Sequence, residues 1–187
     1  MNKQNIENTE IAILANGCFW CTEAVFQRLK GVKHVVSGYT GGHIKNPPYR
    51  EVCTGRTGHA EAIKVTFNPD IITYSELLEV FFATHDPTTL NRQGNDVGTQ
   101  YRSEIFYTNM AQKAIAEAFI KELDAAKIFE NPIVTAISPE APFYLAEEDH
   151  HNYYNENGMQ PYCRVIIDPK IKKLYSHFAE QLKEEYK

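Results

Sequence analysis

The sequence predicts an α+β fold: a two-layer sandwich of ferredoxin-like type, with a mixed sheet, flanking helices and long functional loops. Three observations carry this. Apolar runs and helical periodicities alternate in the order β-α-β-β-α-β, followed by a further helix and strand. No repeat or linker divides the 187 residues, so residues 1–187 are read as a single catalytic domain, large enough to bury most of its apolar surface. The longest irregular segments follow strands, where they can converge on one end of a sheet.

Residues 1–9 are polar and read as a loose tail. Ile11–Ala15 is an unbroken apolar run, so residues 10–16 form a buried strand, and Asn16-Gly17 is a turn signal. Residues 18–30 then switch to helical spacing, with Phe19 or Trp20, Ala24, Val25, Phe26 and Leu29 on one broad face and Gly31 as the stop. Val32–Gly38 is β-branched and reads as a strand. Tyr39–Gly58 is dense in Gly, Pro and Asn and reads as a loop, and His59–Phe67 as a strand. Thr73 or Ser75 can cap a helix through Ala83, with Glu76 early in it. His85–Thr99 is a second long loop, Tyr101–Thr108 a strand, Asn109–Lys127 a helix and Asn131–Ile137 a strand. Pro139–Pro161 is aromatic and acidic, with partial helix around Ala146–Tyr154. Cys163–Ile167 reads as a short strand, and residues 168–187 carry a C-terminal helix with its clearest periodicity over Lys172–Tyr186.

Composition narrows the function. A net charge of −5 argues against nucleic acid as a partner, and no apolar run approaches the ~18 residues of a membrane span. The N-terminus lacks the basic and apolar regions of a signal peptide, so a cytoplasmic location is expected, and the protein is read as a monomer. The four cysteines then need a reason other than extracellular bridges. Only Cys18 and Cys21 are close in sequence, which is poor spacing for structural zinc, so no metal is expected.

Cys18 is the leading candidate for chemistry. It lies where a strand hands over to a helix, where free backbone N–H groups and the helix dipole favour a thiolate. Cys21 is one turn on: either a second redox thiol or a core residue. Glu61 interrupts a strand otherwise made for burial. Facing an apolar pocket it would hold a proton near neutral pH, while strand alternation more often turns such a residue outward. Tyr49, Tyr101 and Asp96 lie in or beside the two long loops, where tyrosine hydroxyls can bind a substrate oxygen or simply sit wet. His150-His151 follows three acidic residues and reads as solvated surface rather than a metal site.

Several motifs then occur together: Gly17-Cys18-Phe19-Trp20-Cys21, Gly38-Tyr39-Thr40-Gly41-Gly42, Asn46-Pro47-x-Tyr49-Arg50-x-Val52-Cys53 and Thr57-Gly58-His59-Ala60-Glu61. They continue with His85-Asp86-Pro87, Arg92–Ser103 and Pro142-Phe143-Tyr144-x-Ala146-Glu147-x-Asp149-His150. Over residues 11–165 this pattern resembles the A-type peptide methionine sulfoxide reductases. The resemblance implies thiol-dependent reduction of methionine (S)-sulfoxide, free or in proteins, and hence repair of oxidised proteins. It assigns Cys18 as nucleophile and future sulfenic acid, and Glu61 as the acid that protonates the sulfoxide oxygen. Tyr49 and Tyr101 become donors to that oxygen, Asp96 a carboxylate that helps fix the substrate, and Phe19 and Trp20 the wall for its methyl group. It implies no bound cofactor and a thioredoxin-type reductant as partner.

Recycling departs from the commonest family pattern. Cys21 replaces a usual Gly, and Cys163 is followed by an apolar segment instead of a glycine-rich tail. Two resolving routes stay open, Cys18–Cys21 and Cys18–Cys163. The first needs less chain movement and is preferred; Cys53 is read as a bystander. The competing function is a general thiol–disulfide oxidoreductase built on Cys18 and Cys21.

Overall fold

An apolar run can be buried on both faces only in the middle of a sheet, and strand β1 (Glu10–Asn16) lies there. In the computed structural model, which describes residues 7–187, the sheet order is β7-β6-β1-β3-β2-β8. Its centre is the expected unit: β1, helix α1 (Phe19–Phe26), β2 (Val32–Thr40), β3 (Ala60–Phe67), helix α3 (Tyr74–Ala83) and β6 (Ser103–Tyr107). β3 pairs antiparallel with both β1 and β2, and β6 pairs antiparallel with β1. β7 (Ala136–Pro139) extends one edge in parallel with β6, and β8 (Phe143–Leu145) extends the other, antiparallel to β2, which makes the sheet mixed. Short elements fill the loops: helix α2 (Tyr49–Cys53), the two-residue strands β4 (Arg92–Gln93) and β5 (Asp96–Val97), and helix α5 (Tyr153–Asn157).

The side-chain period of two divides β1 and β3 between two cores. Ala12, Leu14, Ile63, Val65 and Phe67 face α1 and α3 in the main core. Ile13, Ala15, Ala60, Ala62 and Phe106 form a small cluster on the opposite face. Glu61 shares its face with Ile63 and therefore points to the helix side.

Helix boundaries follow local chemistry. Thr73 caps α3 with a full capping box: the Glu76 N–H donates to its hydroxyl, and its own N–H donates to the Glu76 carboxylate. Asn109 caps helix α4 (Met110–Ala125). α1 stops at Phe26, short of the expected end at residue 30. It is buried on nearly every side, because α5 and the C-terminal segment cover the flank that faces away from the sheet.

The C-terminal expectations need correction. Cys163–Ile167 is a wide helical turn running into helix α6 (Asp168–His177), not a strand. Val165-Ile166-Ile167 has strand propensity, yet Cys163, Ile167, Ile171 and Leu174 recur at helical spacing and are all buried, and burial decides. The helix also ends earlier than expected. After His177 the chain opens into short turns, because Leu182 bridges Leu29 and the Lys30 and Lys183 N–H groups bond to Gln181 and Arg28 carbonyls. Near β7, the expected strand Asn131–Ile137 pairs only from Ala136 onward. Tyr101 lies in the turn Thr99–Tyr101 before β6. The expected tail over residues 1–9 lies mostly outside the described residues; within its described part, Glu7 forms an ion pair with Lys33.

Candidate active site

Gly17 makes the turn from β1 into α1. Its φ is +109°, and a Cβ there would lie 2.9 Å from Gln93 Cβ, so the turn requires glycine. Cys18 follows as the N-cap of α1, 9% exposed, with its carbonyl accepting from Cys21 N–H. Its thiol donates a hydrogen bond to Cys21 sulfur. Burial raises Cys18 well above the ordinary thiol range, reinforced by that bond and by nearby Glu61. The Cys18 hydrogen bond lowers Cys21 instead. The helix N-terminus favours a thiolate at Cys18, and burial opposes it.

Glu61 reaches beneath the start of α1. It is 2% exposed and accepts the Phe19 N–H at 3.2 Å. Burial pushes its carboxyl up to about 8, against the opposing Phe19 hydrogen bond, so it is protonated at neutral pH. Outward orientation, the commoner fate of a strand glutamate, is ruled out by its register on the core face of β3.

The tyrosines come from the loops. Tyr49 begins α2, and its N–H donates to Glu147 Oε2 at 3.1 Å. The same carboxylate accepts from the Tyr39 hydroxyl at 3.2 Å. Cys53, exposed at the end of α2, lies near Tyr49. Burial raises the Tyr49 and Tyr101 phenols above their ordinary value, which keeps both as O–H donors through neutral pH; Glu61 lies near both. Asp96 is turned elsewhere: it accepts the Tyr162 hydroxyl at 2.7 Å, and that hydroxyl lies 3.9 Å from Cys21 sulfur.

Phe19 is fully buried, its ring centre 5.6 Å from Tyr39 and 5.5 Å from His150. Trp20 is half-buried. It stacks on Tyr153 at 3.8 Å, meets Tyr162 edge-on and donates its indole N–H to His150 Nδ1 at 3.1 Å. His150 is thereby a buried support for Trp20 and Tyr49, not solvated surface. Its sequence signal was weak, one histidine of an adjacent pair in an acidic run. Glu23, buried in α1 and raised by burial to about 7, accepts the Tyr153 N–H and anchors the ring that Trp20 stacks on.

A cavity of about 250 Å³ opens beside the thiols, lined by Cys18, Cys21, Asp96, Tyr162, Ile166 and Lys170 among others. Tyr162 and Lys170 escaped sequence reasoning. Lys170 is one of three lysines in four residues of an alternating charged helix, a pattern that normally means a solvated face. Cys163 is fully buried in its helical turn and does not line the cavity.

A buried thiol pair with a protonated carboxylic acid close to Cys18, and two phenol donors close to that acid, suit transfer of an oxygen atom from a polar, uncharged group to sulfur. The family described as "Peptide methionine sulfoxide reductase" matches residues 10–182. The chain belongs to that family. It is 53% identical over 174 residues to the peptide methionine sulfoxide reductase MsrA of Saccharolobus solfataricus, covering 93% of this chain and 97% of that protein. The crystal structure of reduced Mxr1 from Saccharomyces cerevisiae is similar with a TM-score of 0.75 and 36% identity, over 86% of this chain and 92% of that one. Mxr1 in complex with Trx2 is similar with a TM-score of 0.53 and 27% identity, over 82% and 90%. These likenesses bear out the α+β fold expected from the sequence, and family membership bears out the resemblance. Among the described residues no helix is long and apolar enough to cross a membrane.

Proposed function

We propose that this reductase family member converts methionine (S)-sulfoxide, free or in polypeptides, to methionine, and so repairs oxidised proteins. The observation that carries the reading is the convergence of the buried Cys18 and Cys21 pair with a protonated Glu61 and the neutral hydroxyls of Tyr49 and Tyr101.

Sulfoxide oxygen leaves sulfur only when protonated. Glu61 supplies that proton, and the tyrosines stabilise the oxygen as the S–O bond breaks. Cys18 attacks the sulfoxide sulfur and sheds its own proton to solvent. Methionine departs and leaves Cys18 as the sulfenic acid, whose O–H carries the proton from Glu61. Cys21 then attacks the Cys18 sulfur, the S–O bond breaks, and the proton held by Cys21 leaves with the hydroxide as water. Two electrons pass from the thiol pair to the sulfoxide. The two hydrogens of the water come from Glu61 and Cys21, and Glu61 regains a proton from solvent, which received the one from Cys18. Phe19 and Trp20 provide an apolar wall opposite the polar groups, so a sulfur that carries one methyl and one oxygen fits in one hand. Asp96 acts through Tyr162 at the edge of the pocket.

The Cys18–Cys21 disulfide is opened by a thioredoxin-type reductant, a reading supported by the Mxr1–Trx2 likeness. All four cysteines are free thiols, in keeping with a cytoplasmic setting. Assay of the separated epimers with dithiothreitol tests the reading. Methionine is expected from the S epimer alone; equal turnover of the R epimer would overturn it.

A further inference from the structure

Lys170 takes no part in the reaction as described, yet its place is unusual for a lysine. It lies in the first turn of α6, and its ammonium donates to the Thr84 carbonyl at 2.7 Å, at the C-terminal end of α3. It forms part of the wall between two openings. On the inner side is the cavity of Cys18 and Cys21, where Lys170 is the only cation among the described lining residues. On the outer side is a groove of about 550 Å³ whose charged and titratable lining is His85, Asp86, Glu130, Lys170 and Lys173.

The groups that face Cys21 come from every neighbouring element. Cys18 stands at the start of its own helix, Glu61 on β3, Asp96 on β5, Tyr162 and Cys163 on the turn before α6, and Lys170 on α6. All of these except Lys170 are neutral or acidic. A negative sulfur in that company needs a cation, and the Thr84 bond holds this one in place.

We propose that Lys170 is the positioning residue of the resolving half-reaction: anchored to Thr84, it holds Cys21 ionised against the Cys18 sulfenic acid, while Tyr162, tied to Asp96, flanks the same sulfur. The proposal rests on Cys21 being the resolving thiol. The step it serves is balanced without any outside reagent. The Cys21 sulfur bonds to the Cys18 sulfur, the S–O bond breaks, and the proton shed by Cys21 leaves with the hydroxide as water. The sulfenic sulfur is reduced, Cys21 is oxidised, and Lys170 contributes charge only. The electrostatics agree. Cys21 is lowered chiefly by the Cys18 hydrogen bond and further by Lys170, and burial lowers Lys170 itself, opposed by Cys21, Cys18 and Asp96.

The test follows both half-reactions in a single turnover of the full chain with S epimer and no reductant. Methionine release reports the first, and loss of dimedone-reactive sulfenic acid reports the second. Lys170→Gln keeps a donor for Thr84 but removes the charge. It should slow disulfide formation about tenfold at pH 7 and move its pH profile up by about one pH unit, with methionine release not sharing that change. Lys170→Arg should restore the profile. A merely structural role would slow both half-reactions alike and leave the pH profile in place, and that result overturns the proposal. If Lys170→Gln does not fold, alkylation of the wild-type chain decides. The alkylation of Cys21 by iodoacetamide should rise at lower pH than that of free cysteine in the same buffer, and a rise at the same or higher pH overturns the proposal. The two claims fail separately. A Cys18–Cys163 bond in the wild type defeats the Cys21 reading, whereas a Cys18–Cys21 bond that forms at the wild-type rate in Lys170→Gln defeats only the role of Lys170.

Discussion

Cys18→Ser is expected to abolish methionine formation from the S epimer, with a loss of about a thousandfold or more in both single and multiple turnovers. No other thiol can take over the attack. Cys21 is buried one helical turn away, Cys53 is exposed at the end of α2, and Cys163 is sealed beneath the C-terminal turn. Cys21→Ser behaves differently. It should still release methionine in the first turnover, up to one per chain, then stall as the sulfenic acid, and its thioredoxin-supported rate should fall at least about tenfold while dithiothreitol still recycles it. Cys163→Ser leaves recycling intact. Quantifying methionine per chain with each reductant separates the three variants. Steady thioredoxin-driven turnover by Cys21→Ser would show that another cysteine resolves the intermediate.

Glu61→Gln costs about 10²- to 10⁴-fold in the methionine-forming step, because an amide cannot supply the proton that makes the sulfoxide oxygen a leaving group. In the wild type this step weakens as pH rises through about 8, where Glu61 loses its proton. The variant lacks that limb. Stability gives an independent reading of the same group. The carboxyl titrates higher in the folded chain than in the unfolded one, so its contribution is fully present below the unfolded value near 4.5 and is lost as pH rises through about 8. Each pH unit between those two values is worth ~1.4 kcal/mol, so ionising the buried carboxyl above them costs roughly 4–5 kcal/mol, and Glu61→Gln removes that cost. The variant should gain thermal stability over the wild type at pH 8.5 relative to pH 5. A general thiol–disulfide oxidoreductase has no use for this acid, so full activity of Glu61→Gln on sulfoxide, equal to its activity on insulin disulfides, would favour that alternative.

The centre of the fold could be read because sequence and burial agree there. Ile11–Ala15 is apolar in every position and occupies the middle of the sheet; Asn16-Gly17 turns where Gly17 must adopt a positive φ; Thr73 and Glu76 form the capping box their spacing calls for. Cys18 and Glu61 stood out for the same reason, each being a chemical residue set in an element built for burial. The C-terminal third was harder. Val165–Ile167 has the propensity of a strand and is helical only because Cys163, Ile167, Ile171 and Leu174 must cover the outer side of α1, a demand set by tertiary packing. Lys170, Tyr162 and His150 carry no local mark, since their importance lies in partners 66 to 130 residues away, such as Asp96 and Trp20, or in the Thr84 carbonyl. The ionisation of the thiol pair was also out of reach. The helix-terminus rule pointed to Cys18, whereas the depth of its burial raises its thiol and its contact with Cys21 lowers that neighbour.

The most direct test of the mechanism is disulfide mapping after one turnover. The reduced chain is given one equivalent of methionine (S)-sulfoxide without reductant, quenched with an alkylating agent under denaturing conditions, digested and weighed. One methionine per chain should appear together with a peptide in which Cys18 and Cys21 are joined, while Cys53 and Cys163 carry the alkyl label. A Cys18–Cys163 bond with Cys21 alkylated, or methionine released from a chain whose Cys18 is still a free thiol, would contradict the mechanism.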